Sequence, residues 1–123
     1  MSEQKTAVAK VAELTGADLD YWVARANGWE LENYAWWVIQ RNDKGGSLCY
    51  AQCGQGIWKP STDWAQGGPI IEREKICVDP HDGVWDAKMP KRHWIAGAPS
   101  PLVAAMRAFV ESKFGYEVPD HAA

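Results

Sequence analysis

The segment from Ser100 to Gly115 constrains the fold of this chain more than any other stretch. Ser100 has a side chain that can accept from the free N–H groups of a first helical turn, and Pro101 follows at the first helical position, where its missing donor costs nothing. Leu102, Met106, Phe109, Val110 and Lys113 track one face at helical spacing, and Gly115 tolerates the left-handed conformation that stops a helix. A helix so delimited needs other elements to cover its apolar face.

A second helix start is written at Leu14-Thr15-Gly16-Ala17-Asp18-Leu19. Thr15 is the N-cap, Asp18 puts a carboxylate in the positive first turn, and Leu14 and Leu19 occupy the positions of a hydrophobic staple. Leu19, Trp22, Val23 and Ala26 share a face, and Asn27-Gly28 supplies the stop. Between the helices, Tyr34 to Gln40 is β-branched and aromatic, Asn42 to Gly46 is a turn by composition, and Ser47 to Gln52 returns as a shorter strand. Ile70, Ile76 and Val78 alternate in strand fashion, and Asp79 to Gly83 reads as a turn. Val84 to Trp94 reads as irregular, because Met89-Pro90 opposes a long strand, with His93 to Ala96 as a short edge strand. The expectation is an α+β fold: a small antiparallel sheet with an N-terminal and a C-terminal helix packed on it. One domain over residues 1–123 is expected, with an ordered core over about 6–118 and a loose tail over 119–123. A chain of 123 residues can bury a core without disulfide or metal staples.

Composition narrows the function. The formal charge of −3 disfavours a general phosphate-backbone binder, so no nonspecific nucleic-acid partner is expected. No apolar run is long enough to span a bilayer, and the N-terminus lacks a secretory core, so a cytoplasmic protein without a membrane partner is expected. Cys49, Cys53 and Cys77 form an odd set that suits reduced thiols. Cys49-x3-Cys53 and Cys77-x3-His81 offer four zinc-ligand types, but neither pair has the common two-residue gap, so idle thiols are the preferred reading. Eight tryptophans stand against two phenylalanines, which suggests half-buried indole rings and an open aromatic surface, although core packing explains many such residues.

The segment with the most chemistry is Trp58 to Glu74. Pro60-Ser61-Thr62-Asp63-Trp64 offers N-cap residues for a short helical turn, and Gly67-Gly68-Pro69 reads as a sharp turn with exposed N–H groups. No Gly-Lys-Ser/Thr follows the glycines, so it is not a P-loop. Gln66 can read an amide or a base edge, and Trp58 and Trp64 bracket the polar cluster as stacking surfaces. Asp63, Glu72 and Glu74 are carboxylates available either for acid–base work or for capping. His93 is a weak candidate for a general base, and nothing supplies a nucleophile or a cofactor fingerprint.

This motif, Pro60 to Glu74, closely resembles the signature of the NinX-type family of bacteriophage and prophage proteins. Leu14 to Gly28 and Pro99 to Arg107 with its following helix fit the same family, so the likeness frames Leu14 to about Val118. The resemblance implies a phage-encoded accessory protein acting in the bacterial host, with no catalytic residue and no cofactor to carry over. It directs attention to Ser61, Thr62, Asp63, Trp64, Gln66, Gly67, Gly68, Glu72 and Arg107.

Three readings follow. The first is a non-catalytic module binding a small planar, nucleotide-like ligand at Trp58, Asp63, Trp64, Gln66 and Glu72. The second is a protein-interaction module that engages a host or phage enzyme through a Trp-rich surface. The third, ranked last, is an enzyme using Asp63 and Glu72 as an acid–base pair. A homodimer formed through an exposed aromatic patch is a further expectation.

Overall fold

A computed structural model describes residues 8–28, 39–41, 47–49 and 58–119. Helix α1 spans Gly16–Ala26, α2 spans Trp64–Glu74 and α3 spans Pro101–Phe114. Helix α3 forms the centre of the described structure. Every residue from Leu102 to Glu111 is buried, so the helix is enclosed on all sides rather than along the single face expected. Ala104, Ala105 and Ala108 allow this, because their small side chains let neighbouring elements approach closely. Lys113, expected on the apolar face, is exposed, with its ammonium 6.0 Å from the centre of the Phe109 ring. The ends form as the sequence dictates. The Ser100 hydroxyl accepts from the Val103 N–H at 3.1 Å, and Gly115 closes the helix with φ of 91°.

One side of α3 is covered by a three-stranded antiparallel sheet of β4 (Cys77–His81), β5 (Val84–Lys88) and β6 (Ile95–Ala98), in that spatial order. The central strand, β5, falls in the stretch expected to be irregular. Met89-Pro90 only ends it, and Ala87, fully buried, faces the core. The turn before it is also shorter than expected. Asp79 to His81 belong to β4, and Asp82 and Gly83 alone make the connection, with φ of 50° and 85°. Two left-handed residues match the twist of an antiparallel hairpin. Pro80 is accommodated because β4 is an edge strand.

Helix α1 packs on α3 and not on this sheet, which refines the expected arrangement of two helices on one sheet. Leu14, Leu19, Trp22 and Val23 are buried in the same core as Phe109 and Val110. Thr15 stands at the N-cap with extended backbone, although its side chain makes no capping hydrogen bond. The short strands β1 (Val8–Lys10) and β7 (Glu117–Pro119) pair antiparallel, so the chain past α3 returns to the N-terminal segment and Pro119, expected in the loose tail, is in a strand. The Val11 N–H donates to the Tyr116 carbonyl at 2.9 Å to continue that pairing. Strands β2 (Ile39–Arg41) and β3 (Ser47–Cys49) form the expected hairpin, with Ile39 opposite Cys49. The remainder of the two strands read from the sequence lies outside the described residues. The architecture is α+β, and among the described residues no helix is long and apolar enough to cross a membrane.

Candidate functional site

The largest departure from the sequence reading lies in the motif itself. Trp64 to Glu74 is helix α2, so Gly67-Gly68-Pro69 is helical and Ile70 to Glu74 is not a strand. Glycine and proline are the poorest helix formers, so local propensity argued for a turn. Capping hydrogen bonds and the close packing at Gly67 override it. The Asp63 carboxylate accepts from the Ala65 N–H at 2.9 Å, and its carbonyl accepts from Gln66 and Gly67 at 2.9 and 2.8 Å. Ahead of the helix, the Lys59 carbonyl accepts from Thr62 and Asp63, and the Gln66 side-chain oxygen accepts from the Lys59 N–H at 2.6 Å. Gly67 is buried where α2 crosses the preceding turn: a side chain there would strike the Pro60 carbonyl and Leu102. Lys75, left-handed at φ of 58°, ends the helix.

The turn before α2 is fixed to α1 through a residue that the sequence reading missed. Asp20 is 4% exposed, and its carboxylate accepts from the Ser61 N–H at 2.8 Å. The indole N–H of Trp58 donates to the Asp20 carbonyl at 2.9 Å. Burial pushes the Asp20 carboxyl up to about 6, although Ser61 favours the ionised form. The Ser61 hydroxyl, itself buried, lies beside this carboxylate without reaching good hydrogen-bond geometry. A signal existed in the sequence: Asp20 precedes Val23 and Ala24 by three and four residues, so it shares a side of α1 with two core residues.

The ten expected site residues therefore divide. Trp58 and Ser61 lock the turn to α1; Asp63 and Gln66 stabilise the start of α2; Gly67 is a point of close packing. Thr62 is exposed and its hydroxyl lies 3.5 Å from the Lys59 carbonyl. Arg107 is 5% exposed, and its Nε–H donates to the Leu14 carbonyl at 2.8 Å. Burial holds its guanidinium below the ordinary pKa, against the opposing pull of Glu13. Trp64, at 57% exposure, and Glu72 remain outward on α2, with Gly68 beside the Trp64 ring.

Two chemical readings that the sequence ranked low are opposed by this geometry. Asp63 and Glu72 are nine residues apart along a helix, which separates them by about 13 Å at 1.5 Å per residue. They cannot act together on one reacting atom. Cys77 and His81 occupy opposite ends of β4, about 13 Å apart at strand rise, so that pair does not chelate one ion. Cys53 and the side chain of Cys49 lie outside the described residues.

Two clefts among the described residues lie away from the ten expected site residues, although the second reaches the end of the motif at Arg73 and Glu74. One of about 450 Å³ lies between the β1–β7 pair and the start of α1, lined by Lys10, Glu13, Asp18, Trp22 and Glu117 among others. Another of about 350 Å³ lies between Asn27, Arg73, Phe109 and Lys113. Neither is lined by any of the ten residues. Among the described residues no group of three or more His, Cys, Asp or Glu is placed to hold a metal ion.

These features define a small α+β protein with a helix at its centre and a capped, outward-facing second helix. The chain belongs to the family described as Bacteriophage P22, NinX, whose model matches residues 10–113. That span runs from the end of β1 almost to the end of α3, and so contains Asp20, all of α2 and Arg107. No curated protein matches the chain.

Proposed function

We propose that this NinX-family protein is a non-catalytic phage accessory factor, acting in the host cytoplasm, that grips a protein partner through the outward face of α2. The observation that carries this reading is Trp64. It stands 57% exposed on the first turn of a helix whose start is capped by Asp63, while Gln66 ties that turn back to the Lys59 N–H. Gly68 and Glu72 follow it at intervals of four, so an indole face, a gap and a carboxylate share one side of the helix. Exposed tryptophan is a common anchor of protein interfaces, because its ring buries a large area with few torsions to freeze.

This geometry favours a protein partner over a nucleotide-like ligand. The pocket required by the latter needs Trp58, Asp63 and Gln66 to face a ligand, whereas each has a hydrogen-bonding role within the fold. The test uses tagged wild-type protein and Trp64→Ala, each exposed to a lysate of infected host cells and to a bacterial nucleotide extract. A protein retained by the wild type and lost from Trp64→Ala is the expected result. Equal capture by both proteins, or a nucleotide retained only by the wild type, overturns the reading.

A further inference from the structure

The connection from β5 to β6 carries a cluster that the α2 surface does not use. In a chain of formal charge −3, the run Lys88-Met89-Pro90-Lys91-Arg92-His93-Trp94 holds three fixed cations and no acid. Trp94 is 47% exposed, and the Lys88 ammonium lies 5.8 Å from its ring centre. Tyr116, 68% exposed, brings a second ring to within 5.5 Å of the His93 ring. Beneath them Glu111 of α3 is 5% exposed, with one carboxylate oxygen 3.1 Å from His93 Nε2 and the other 3.8 Å from an Arg92 nitrogen. A single buried carboxylate thus holds two of the surface residues from below.

The backbone sets the shape of this turn. The Arg92 N–H donates to the Met89 carbonyl at 3.1 Å, which closes a turn with Pro90 and Lys91 at its centre. Lys91 has φ of 65°, a conformation glycine adopts freely and lysine adopts at a cost of about 1 kcal/mol. Stability alone would favour glycine there. The chain instead places an ammonium group at the tip of the turn.

We infer that this turn is a contact surface for single-stranded nucleic acid, with Lys88, Lys91 and Arg92 meeting phosphates and Trp94 and Tyr116 stacking on bases. Cations interleaved with exposed rings suit an unpaired strand, whose bases present their faces; in a duplex those faces are already stacked. Acids stand among these cations: Glu111 pairs with Arg92 and His93 from below, Asp86 accepts from the Gly97 N–H at 3.2 Å, and Glu117 is exposed beside Tyr116, so the exposed rings carry the contact rather than a net positive field. The overall negative charge argues against long-range attraction to any nucleic acid, single-stranded or duplex, so the contact is short-range and sensitive to salt.

Fluorescence anisotropy with labelled oligothymidylate and oligouridylate tests the inference, alongside a duplex and an abasic strand of equal length. The wild type is expected to bind the single strands at low salt, with the logarithm of affinity falling by about 2 per decade of salt for three phosphate contacts. Whichever of the two strands binds more tightly identifies DNA or RNA as the source. Trp94→Ala is expected to weaken binding about tenfold. Lys91→Gly removes a charge while relieving the left-handed backbone, so it weakens binding with Tm unchanged or raised. The inference is overturned if the wild type binds neither single strand, if both variants bind as the wild type does, or if the duplex or abasic strand binds equally well.

Discussion

Trp58 and Trp64 lie six residues apart in one motif, yet the indole N–H of the first is bonded to the Asp20 carbonyl while the second stands 57% exposed. The turn from Trp58 to Asp63 directs its polar groups into the fold: at α1, at its own backbone, and at the first turn of α2. The outer face of α2 has side chains that make no such commitment, Trp64 and Glu72 foremost. A contiguous and distinctive sequence motif therefore combines two tasks. Its first half fixes where the helix sits; its second half determines what the helix presents.

The largest effect that could break this comparison is at Gly67. Adding a methyl group there drives it into the Pro60 carbonyl and Leu102. Gly67→Ala is expected to cost about 3 kcal/mol in urea denaturation, at the upper end for overpacking, because one obstacle is backbone. Gly68→Ala, where an added methyl meets only the Trp64 ring at 3.8 Å, should be neutral or stabilising.

Asp20 sharpens the comparison through pH. Its carboxyl is raised from 3.8 to about 6 by burial, so the folded state holds a proton that the unfolded chain has already released. Stability is unaffected below about pH 4, falls as pH rises through the window to about 6, and remains lowered by about 3 kcal/mol above it. Asp20→Asn keeps an acceptor for the Ser61 N–H and abolishes the titration. Chemical denaturation across that window should show the slope in the wild type and its loss in Asp20→Asn, with the variant the more stable at pH 7. A smaller loss, about 1 kcal/mol, is expected for Asp63→Ala, which removes the N-cap acceptor of α2.

The two helices with strong end signals are legible in the residues alone. Ser100-Pro101 and Gly115 delimit α3, and Leu14 with Asn27-Gly28 brackets α1. Helix α2 is hidden because Gly67-Gly68-Pro69 inverts local propensity, and the contacts that override it come from Lys59, Pro60 and Leu102, which no local pattern reveals. Strand β5 is obscured in a similar way, since Pro90 marks its end rather than its absence. The motif stands out by its density of polar and aromatic groups, but residue type alone does not separate an Asp63 that caps from one that binds. Asp20 is harder still to single out, because its role depends on Ser61, forty-one residues away in sequence.

The division between an inward turn and an outward helix face is tested most directly by comparing Trp58→Ala with Trp64→Ala in equilibrium urea denaturation at one pH. Trp58→Ala removes a ring packed on the core and the indole hydrogen bond to Asp20, and should lose about 2–3 kcal/mol. Trp64→Ala should remain within about 0.5 kcal/mol of the wild type, as expected for a surface position. Equal losses at the two positions would contradict the account, because Trp64 would then be holding the fold rather than waiting for a partner.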